Sequence, residues 1–246
     1  MSRSFNLNLL FFCASFLTSL VSYGQDMTIF QGNSRSKAAM QFYQEEFKRV
    51  GAYKVRGNSL VLEGNNVSDL YSSLGPGANL PIVFDAYSQE LSIMLENKQD
   101  VVKLSFEEVD SFIVKLDTDK KYAEPTLFLN AHKIEPSKKM YMQRLATGPK
   151  YSLFKSFYTE LRPAASDLAQ TNVREFEIVS EYYYLPAKGA EFTKIKKSSK
   201  AVKKLFESEK EAIDKLGNEF DQNFEVTLVK FFDILNGQDM EVHVQR

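Results

Sequence analysis

The stretch KYSLFKSFYTEL, residues 150–161, has the two-residue period of a β-strand and carries apolar side chains on both of its faces. One face holds Tyr151, Leu153, Lys155 and Phe157. The other face holds Ser152, Phe154, Ser156 and Tyr158. A strand with two apolar faces fits a sheet that is partly covered on each side. The stretch therefore predicts a sheet protein in which other elements pack on the sheet.

Runs of similar character flank this stretch on both sides. Rich in β-branched and aromatic residues, they are AYKV, SLVLE, LPIVFDAY, ELSIML, DVVKL, DSFIVKL, PTLFLNA, KKMYMQRLA, REFEIVSEYYYL and EFTKIK. Turn formers separate them, at Arg56-Gly57-Asn58, Glu63-Gly64-Asn65-Asn66, Gly75-Pro76-Gly77, Thr147-Gly148-Pro149 and Lys188-Gly189. Many short strands with short links favour antiparallel meanders. The predicted fold class is α+β, mainly antiparallel β as a meander barrel, clam or sandwich, with an amphipathic helical tail.

The first residues have the order of a secretory signal peptide. Arg3 precedes an apolar run from Leu9 to Val21, and the small residues Ser22 and Gly24 mark a cut after residue 24. The run is about 13 residues long, whereas a membrane-spanning helix needs about 20. We expect a cleaved signal peptide over 1–24, no transmembrane segment in the mature chain, and a periplasmic or outer-membrane-associated protein of a Gram-negative bacterium. The only cysteine, Cys13, lies in this segment, and export without disulfides suits a bacterial envelope.

Helical periodicity appears at both ends of the mature chain. Residues 25–50 are predicted to form an N-terminal helical segment, in which Ala39, Tyr43 and Phe47 share a face. An antiparallel β domain is predicted over 51–197, and a helical tail that packs on it over 198–246. In the tail, Ser199 is expected to cap a first helix, Ser208 to start a second, and FEVTLVKFFDIL to form the last, between Asn223 and Gly237.

From Leu80 to Asn236 the chain resembles a widespread family of exported bacterial proteins of unknown function. The pattern of that family is an "x-Asn/Asp-x-Tyr-x-x-Glu-Leu" strand pair, a later Tyr-Tyr-Leu strand, a Lys-rich turn-to-helix stretch and a terminal helix pair. The matching positions are Asp85, Tyr87, Glu90, Leu91, Tyr183, Tyr184, Leu185, Lys196, Lys197, Ser199 and Lys200. The resemblance implies export and a β-rich body with C-terminal helices, and it implies no activity.

The sequence contains no recognisable catalytic, cofactor-binding or metal-binding motif. Histidine occurs only at His132 and His243, and no His-Glu-x-x-His or Cys-x-x-Cys is present. Asp117-Thr-Asp119 imitates the start of a calcium loop, but lysines and a tyrosine follow where oxygen ligands belong. We therefore expect no catalytic residue, no cofactor, no metal and no enzymatic activity. A hydrolase that uses paired carboxylates stays open as an alternative, since such a pair leaves no sequence signature.

Eight lysines crowd the stretch from Lys188 to Lys210 against three acids, although the whole chain has a net charge of −1. Lys194, Lys196, Lys197, Lys200, Lys203 and Lys204 are the candidate interaction patch. We interpret them first as the solvated or internally paired face of an amphipathic element, since the tail beyond is rich in acids. The alternative is a patch that binds an anionic partner; nucleic acid is not expected, because the net charge is near zero.

Aromatic side chains on the long strands offer a second candidate site. Tyr151, Phe157, Tyr182 and Tyr184 are the candidate lining of an apolar ligand cavity. The simpler interpretation is that these rings fill the core or the seam with the helices. From the sequence we expect an exported, non-enzymatic envelope protein that acts by binding or as a structural accessory, with an envelope protein or a lipid as its partner. The alternatives are a carrier of an apolar ligand in a β clam and the hydrolase.

Overall fold

A computed structural model describes residues 48–50, 53–95, 100–117, 122, 124–164, 173–216 and 219–237. The strands are β1 (Lys48–Val50), β2 (Tyr53–Arg56), β3 (Leu60–Glu63), β4 (Asn66–Ser72), β5 (Gly75–Leu80), β6 (Ile82–Asp85), β7 (Glu90–Met94), β8 (Val101–Lys103), β9 (Val109–Asp117), β10 (Thr126–Asn130), β11 (Tyr141–Thr147), β12 (Tyr151–Pro163), β13 (Val173–Pro186) and β14 (Thr193–Ile195). The helices are α1 (Ser199–Leu205), α2 (Lys210–Leu216), α3 (Glu219–Gln222) and α4 (Phe224–Leu235), with 3-10 turns at Ala131–Lys133 and Glu207–Glu209. None of these helices is long and apolar enough to cross a membrane.

The strands form two sheets. The large sheet has the order β1-β2-β13-β12-β11-β10-β9-β4-β5, and β14 also pairs with β13. The small sheet has the order β3-β6-β7-β8. All pairs are antiparallel except β2 with β13. The prediction of an α+β fold with mainly antiparallel strands and C-terminal helices is confirmed.

The small sheet packs on one face of the large sheet. Phe84 of β6 meets Phe112 and Phe128 of the large sheet edge to face, with ring centroids 6.5 and 6.3 Å apart. Fully buried Leu70, Val114 and Tyr141 surround them in this first core. Burial of these large apolar side chains stabilises the contact between the two sheets, at roughly 1.5–3 kcal/mol each.

The helical tail packs on the same face of the large sheet, beside the small sheet. Along β12, Leu153 belongs to the core beneath the helices, whereas Phe157 on the same face belongs to the core beneath the small sheet. Val202 of α1 and Phe231 of α4 are fully buried in this second core. On the opposite face, Phe154 joins a small third cluster that Phe192 closes. Both faces of the strand are therefore used, as the alternation of 150–161 predicts.

Helix α4 is capped at its start and tied to the large sheet just after its end. At its start the side chain of Asn223 accepts a hydrogen bond from the N–H of Val226 at 3.3 Å. Just after its end, Asn236 Oδ1 accepts from the N–H groups of Lys150 and Tyr151 at 3.1 and 3.0 Å, and Asn236 Nδ2 donates to the carbonyl of Tyr151 at 3.0 Å. These bonds join residues about 85 positions apart in sequence, so they fix the tail on the turn between β11 and β12.

The local structure differs from the sequence analysis at one turn, one strand and two helix starts. Gly75-Pro76-Gly77 is part of β5, not a turn; β5 is the last strand of its sheet, and an edge strand tolerates proline because that residue donates no ladder bond. Strand β4, NVSDLYS, was not predicted because Asn66 and Ser68 take buried positions that an apolar pattern would not assign to them. Helix α1 begins after Ser198 rather than after Ser199, and α2 begins at Lys210 behind a 3-10 turn.

The signal peptide over 1–24 and most of the N-terminal helical segment over 25–50 lie outside the described residues. The last three residues of that segment form β1, which pairs with β2. The predicted boundary between the β domain and the tail, at residues 197 and 198, lies in the segment between the end of β14 at Ile195 and the start of α1 at Ser199. The last helix occupies FEVTLVKFFDIL as expected, and Gly237 follows it at a φ of 71°.

Candidate functional site

Of the six lysines of the candidate interaction patch, one forms an ion pair and the other five have no acidic partner among the described residues. Lys194, on β14, forms an ion pair with Glu181 of β13 on the face of the large sheet opposite the helices. Lys196, Lys197, Lys200, Lys203 and Lys204 are exposed. We call these five residues the lysine surface. Among the described residues, no carboxylate lies within ion-pair distance of any of them.

Seven lysines elsewhere in the described residues have an acidic partner. They are Lys103 with Glu90, Lys115 with Asp69, Lys133 with Asp110, Lys138 with Glu135, Lys155 with Glu225, Lys194 with Glu181 and Lys230 with Glu219. Among the tail acids that the structure describes, none pairs with the lysine surface, and Glu219 and Glu225 pair with lysines of α4 and β12. Within the part of the chain that the structure describes, the charge of the lysine surface is left to solvent or to a partner.

Helix electrostatics account for part of the lysine surface only. Lys203 and Lys204 lie in the last turn of α1, where a positive charge faces the carbonyl end of the helix dipole. Lys200 lies in the first turn, where the dipole disfavours a positive charge, and that turn contains no acidic residue. The apolar side of α1 faces the interior, because Val202 and Phe206 are buried in the second core. Leu205, 38% exposed, is the large hydrophobic residue that α1 exposes in the described part of the chain.

The four aromatic residues of the candidate lining belong to two different cores. Phe157 is 5% exposed and packs beneath the small sheet. Tyr151 and Tyr184 contact each other at 5.8 Å between ring centroids, and both contact Phe206 of the tail, at 6.0 and 5.0 Å. The structure therefore places these rings against one another and against helical side chains.

Tyr182, the fourth aromatic residue, takes part in a polar contact at the seam between the two cores. Its hydroxyl donates to Glu225 Oε2 at 2.7 Å, and Lys155 Nζ donates to the same oxygen at 2.6 Å. Burial, together with the hydrogen bond to Glu225, raises the pKa of Tyr182, so the hydroxyl keeps its proton at neutral pH. Lys155 also lies 5.2 Å from the centre of the Phe157 ring. This cluster connects α4 to the sheet between the two cores.

A second polar bridge connects the small sheet to the large one. Gln89, in the turn between β6 and β7, donates from Nε2 to the carbonyl of Phe157 at 2.7 Å and accepts at Oε1 from the N–H of Tyr141 at 3.3 Å. The side-chain amide of Gln89 therefore bridges β11 and β12 just beyond Met142 and Ser156, the last residue pair of their ladder. Gln89 has a φ of 56°, a left-handed conformation that costs a non-glycine residue free energy.

The family-like motif residues occupy turn and packing positions. Asp85 accepts a hydrogen bond from the N–H of Tyr87 at 2.8 Å in the same β6–β7 turn. Glu90 pairs with Lys103 at 2.6 Å, and Leu91 is 1% exposed. Asp85 thus shapes a turn, Glu90 takes part in an exposed ion pair, and Leu91 is buried in the core.

The arrangement of acidic side chains and histidine bears on the hydrolase and metal alternatives. Glu160 and Glu177 share Arg162, at 3.2 and 2.6 Å, on an exposed strand surface. Among the described residues no group of three or more His, Cys, Asp or Glu side chains is placed to hold a metal ion. His132 lies in the 3-10 turn with its ring 5.9 Å from that of Phe106. Asp119 and His243 lie outside the described residues.

Sequence reasoning missed the three side chains that join the parts of the molecule: Gln89, Glu225 and Asn236. Asn236 had a partial signal, since Asn-Gly after an apolar helix indicates a C-terminal cap, but nothing in the pattern connects it to residues 150 and 151. Comparison with protein-family models, with curated proteins and with solved structures finds no match.

Proposed function

We propose that this chain is an exported, non-enzymatic accessory protein of the envelope of a Gram-negative bacterium, and that it docks an acidic protein partner through the lysine surface. The observation that carries the proposal is the concentration of exposed lysines in one short segment. Five lysines lie within residues 196–204, and none of them has an acidic partner among the described residues, whereas Lys54, Lys139 and Lys150, which also have none, are far apart in the sequence. Lys200 moreover lies at the helix end that disfavours a positive charge. Export rests on the signal-peptide pattern of residues 1–24.

A protein partner is favoured over a lipid bilayer by the packing of α1. A helix that lies in a membrane surface needs an apolar face to insert. Val202 and Phe206 already fill the second core, so α1 presents lysines and Leu205 to the outside. Such a surface suits the charged rim and small apolar centre of a protein interface.

The apolar-ligand carrier is less favoured, because Tyr151, Tyr182 and Tyr184 pack on helical side chains of this chain itself. The hydrolase is less favoured as well, since Glu160 and Glu177 lie on an open surface and are bridged by Arg162. Neither alternative has an observation of its own in its support.

The test compares two triple variants with the same change of charge. One carries Lys196→Gln, Lys200→Gln and Lys203→Gln. The control carries Lys54→Gln, Lys139→Gln and Lys150→Gln, three exposed lysines for which no ion pair is found among the described residues. Each is purified gently from the envelope of the host, crosslinked, and measured by native mass spectrometry for retained molecules.

The proposal expects an acidic protein to be retained by the unmodified chain and by the control variant. Binding to the lysine-surface variant should be weaker by about tenfold or more, since three interface charges contribute on the order of 0.5 kcal/mol each. If the chain retains only an anionic lipid, the partner is a membrane surface and not a protein. Equal loss of the partner in both variants would show that the lysine surface is not the docking site.

A further inference from the structure

Strand β13 has a stretch of open edge between two short partners. Along one side it pairs with β12 over its whole length, from Val173 to Pro186. On its other side β2 covers Val173 to Glu175, and β14 covers Tyr182 to Tyr184. Residues 177–181 pair with no strand on that side within the described part of the chain. At about 3.3 Å per residue this gap is about 17 Å long.

The hydrogen-bond phase of the ladder fixes which backbone groups face the gap. The N–H of Ala187 donates to the carbonyl of Lys150 at 2.8 Å, and that of Ala164 donates to the carbonyl of Val173 at 3.4 Å. In an antiparallel ladder, bonded and non-bonded pairs alternate. Odd-numbered residues of β13 therefore bond to β12, and even-numbered ones point outward. The N–H and C=O groups of Ile178 and Ser180 thus face the gap without a hydrogen-bond partner among the described residues.

Open strand edges accept extended segments of other chains. A segment that fills this gap would bond to four backbone groups, those of Ile178 and Ser180, and would be limited to about five residues by β2 and β14. Its side chains would alternate between the two faces of the large sheet. On the helix-bearing face they would meet Ile178, which packs against the first core.

The charged side chains along the open stretch indicate which residues a bound segment should carry. The charged side chains of the open stretch are Glu177 and Glu181, both on the face opposite the helices. Glu177 shares the guanidinium of Arg162 with Glu160, and Glu181 pairs with Lys194 of β14. Three carboxylates therefore face two cations along this stretch, which leaves an excess of negative charge. A segment with basic residues opposite Glu177 and Glu181 is favoured, and one with acidic residues is disfavoured.

The same charges argue against a second copy of this chain. Antiparallel pairing of two copies about Val179 would place Glu177 of one copy opposite Glu181 of the other. Like charges directly opposite each other destabilise a strand pair. We infer that the open edge of β13 between β2 and β14 binds an extended segment of a partner protein, with apolar residues facing Ile178 and Ser180 and basic residues facing Glu177 and Glu181.

This site lies on a different element from the lysine surface, and its test is independent of the proposed function. The full chain is titrated with the blocked pentapeptide Lys-Val-Thr-Val-Lys, and binding is followed by calorimetry and by amide hydrogen exchange. The control peptide is Glu-Val-Thr-Val-Glu. Ser180→Pro removes one outward N–H while sparing the β12 ladder, and Ser180→Ala is its matched control.

We expect the lysine peptide to bind at least about tenfold more tightly than the glutamate peptide, and Ser180→Pro but not Ser180→Ala to weaken it by a similar factor. The amides of Ile178 and Ser180 should exchange faster than that of Val179 in the free protein and become protected by the peptide. Should Ser180→Pro fail to fold, N-methylation of both valines of the peptide makes the same test. Equal protection of all three amides before peptide is added, or equal binding of both peptides, would overturn the inference.

Discussion

Replacement of Gly148 by alanine tests how the tail is fastened to the sheet. An alanine Cβ at this position would lie 2.2 Å from Cγ and 2.5 Å from Cβ of Asn236. Because the Cβ of Asn236 is fixed by its own backbone, rotation of the side chain does not relieve the clash. Either the end of α4 or the turn before β12 has to move.

The expected cost follows from the three hydrogen bonds that Asn236 makes to Lys150 and Tyr151, at 3.0–3.1 Å. Each contributes about 0.5–1.5 kcal/mol net, so their loss would cost roughly 2–4 kcal/mol. The reduced freedom of alanine in the unfolded chain offsets about 0.4–1 kcal/mol of this. We therefore expect Gly148→Ala to lower the free energy of unfolding by about 2–3 kcal/mol.

Urea denaturation followed by circular dichroism measures the change, in the natural background and in an Asn236→Gly background. Asn236→Gly removes every side-chain atom that the added methyl group at position 148 would strike, and also removes the three bonds. Gly148→Ala should then cost less than about 0.5 kcal/mol, so the two substitutions should be strongly non-additive. A cost of the same size in both backgrounds would refute the reasoning, since the loss would then come from the turn itself.

Three further outcomes are expected. Lys155→Met and Glu225→Gln should show a coupling free energy of about 1 kcal/mol in a double-mutant cycle by urea denaturation, and additive effects would mean that the seam contact contributes no pairwise stability. Gln89→Gly should be less destabilising than Gln89→Ala by about 1 kcal/mol in thermal unfolding, because both lose the bridge between the sheets but only glycine relieves the φ of 56°; the reverse order would contradict this. Asp233→Asn should stabilise the fold near pH 7 by about 0.5 kcal/mol, since burial raises the pKa of Asp233 and the carboxylate lies near the carbonyl end of α4. A raised folded-state pKa means that stability is lost as pH rises through it, so the gain should disappear near pH 3, and a gain that persists there would exclude this cause.

Periodicity was sufficient for the body of the fold and for the last helix. The alternation of 150–161 indicates a strand with two covered faces, and β12 has this role. Periodicity does not show in which of several cores an apolar residue packs. Leu153 and Phe157 are equivalent in the pattern, yet they belong to different cores because the helices and the small sheet divide one face of the sheet.

The candidate sites show the same limit. The lysines were recognisable as a surface element from composition, but whether described acids pair with them depends on where Glu219 and Glu225 lie in space. The edge of β13 that no described strand covers has no sequence signature, because it arises from the short length of β2 and β14 rather than from any property of residues 177–181.

Helix α4 covers part of the second core, so protection of that core depends on a helix that is synthesised late. Leu153, Tyr182 and Ile195 are synthesised before the helices that cover them, and the part of the cover that Phe231 and Phe232 supply comes last. A polypeptide that stops short of α4 would display these residues as a continuous adhesive surface, the kind that chaperones and proteases recognise. Synthesis has to proceed through Leu235 before this surface is covered, so we expect truncation before α4 to lower the amount of protein that survives in the cell.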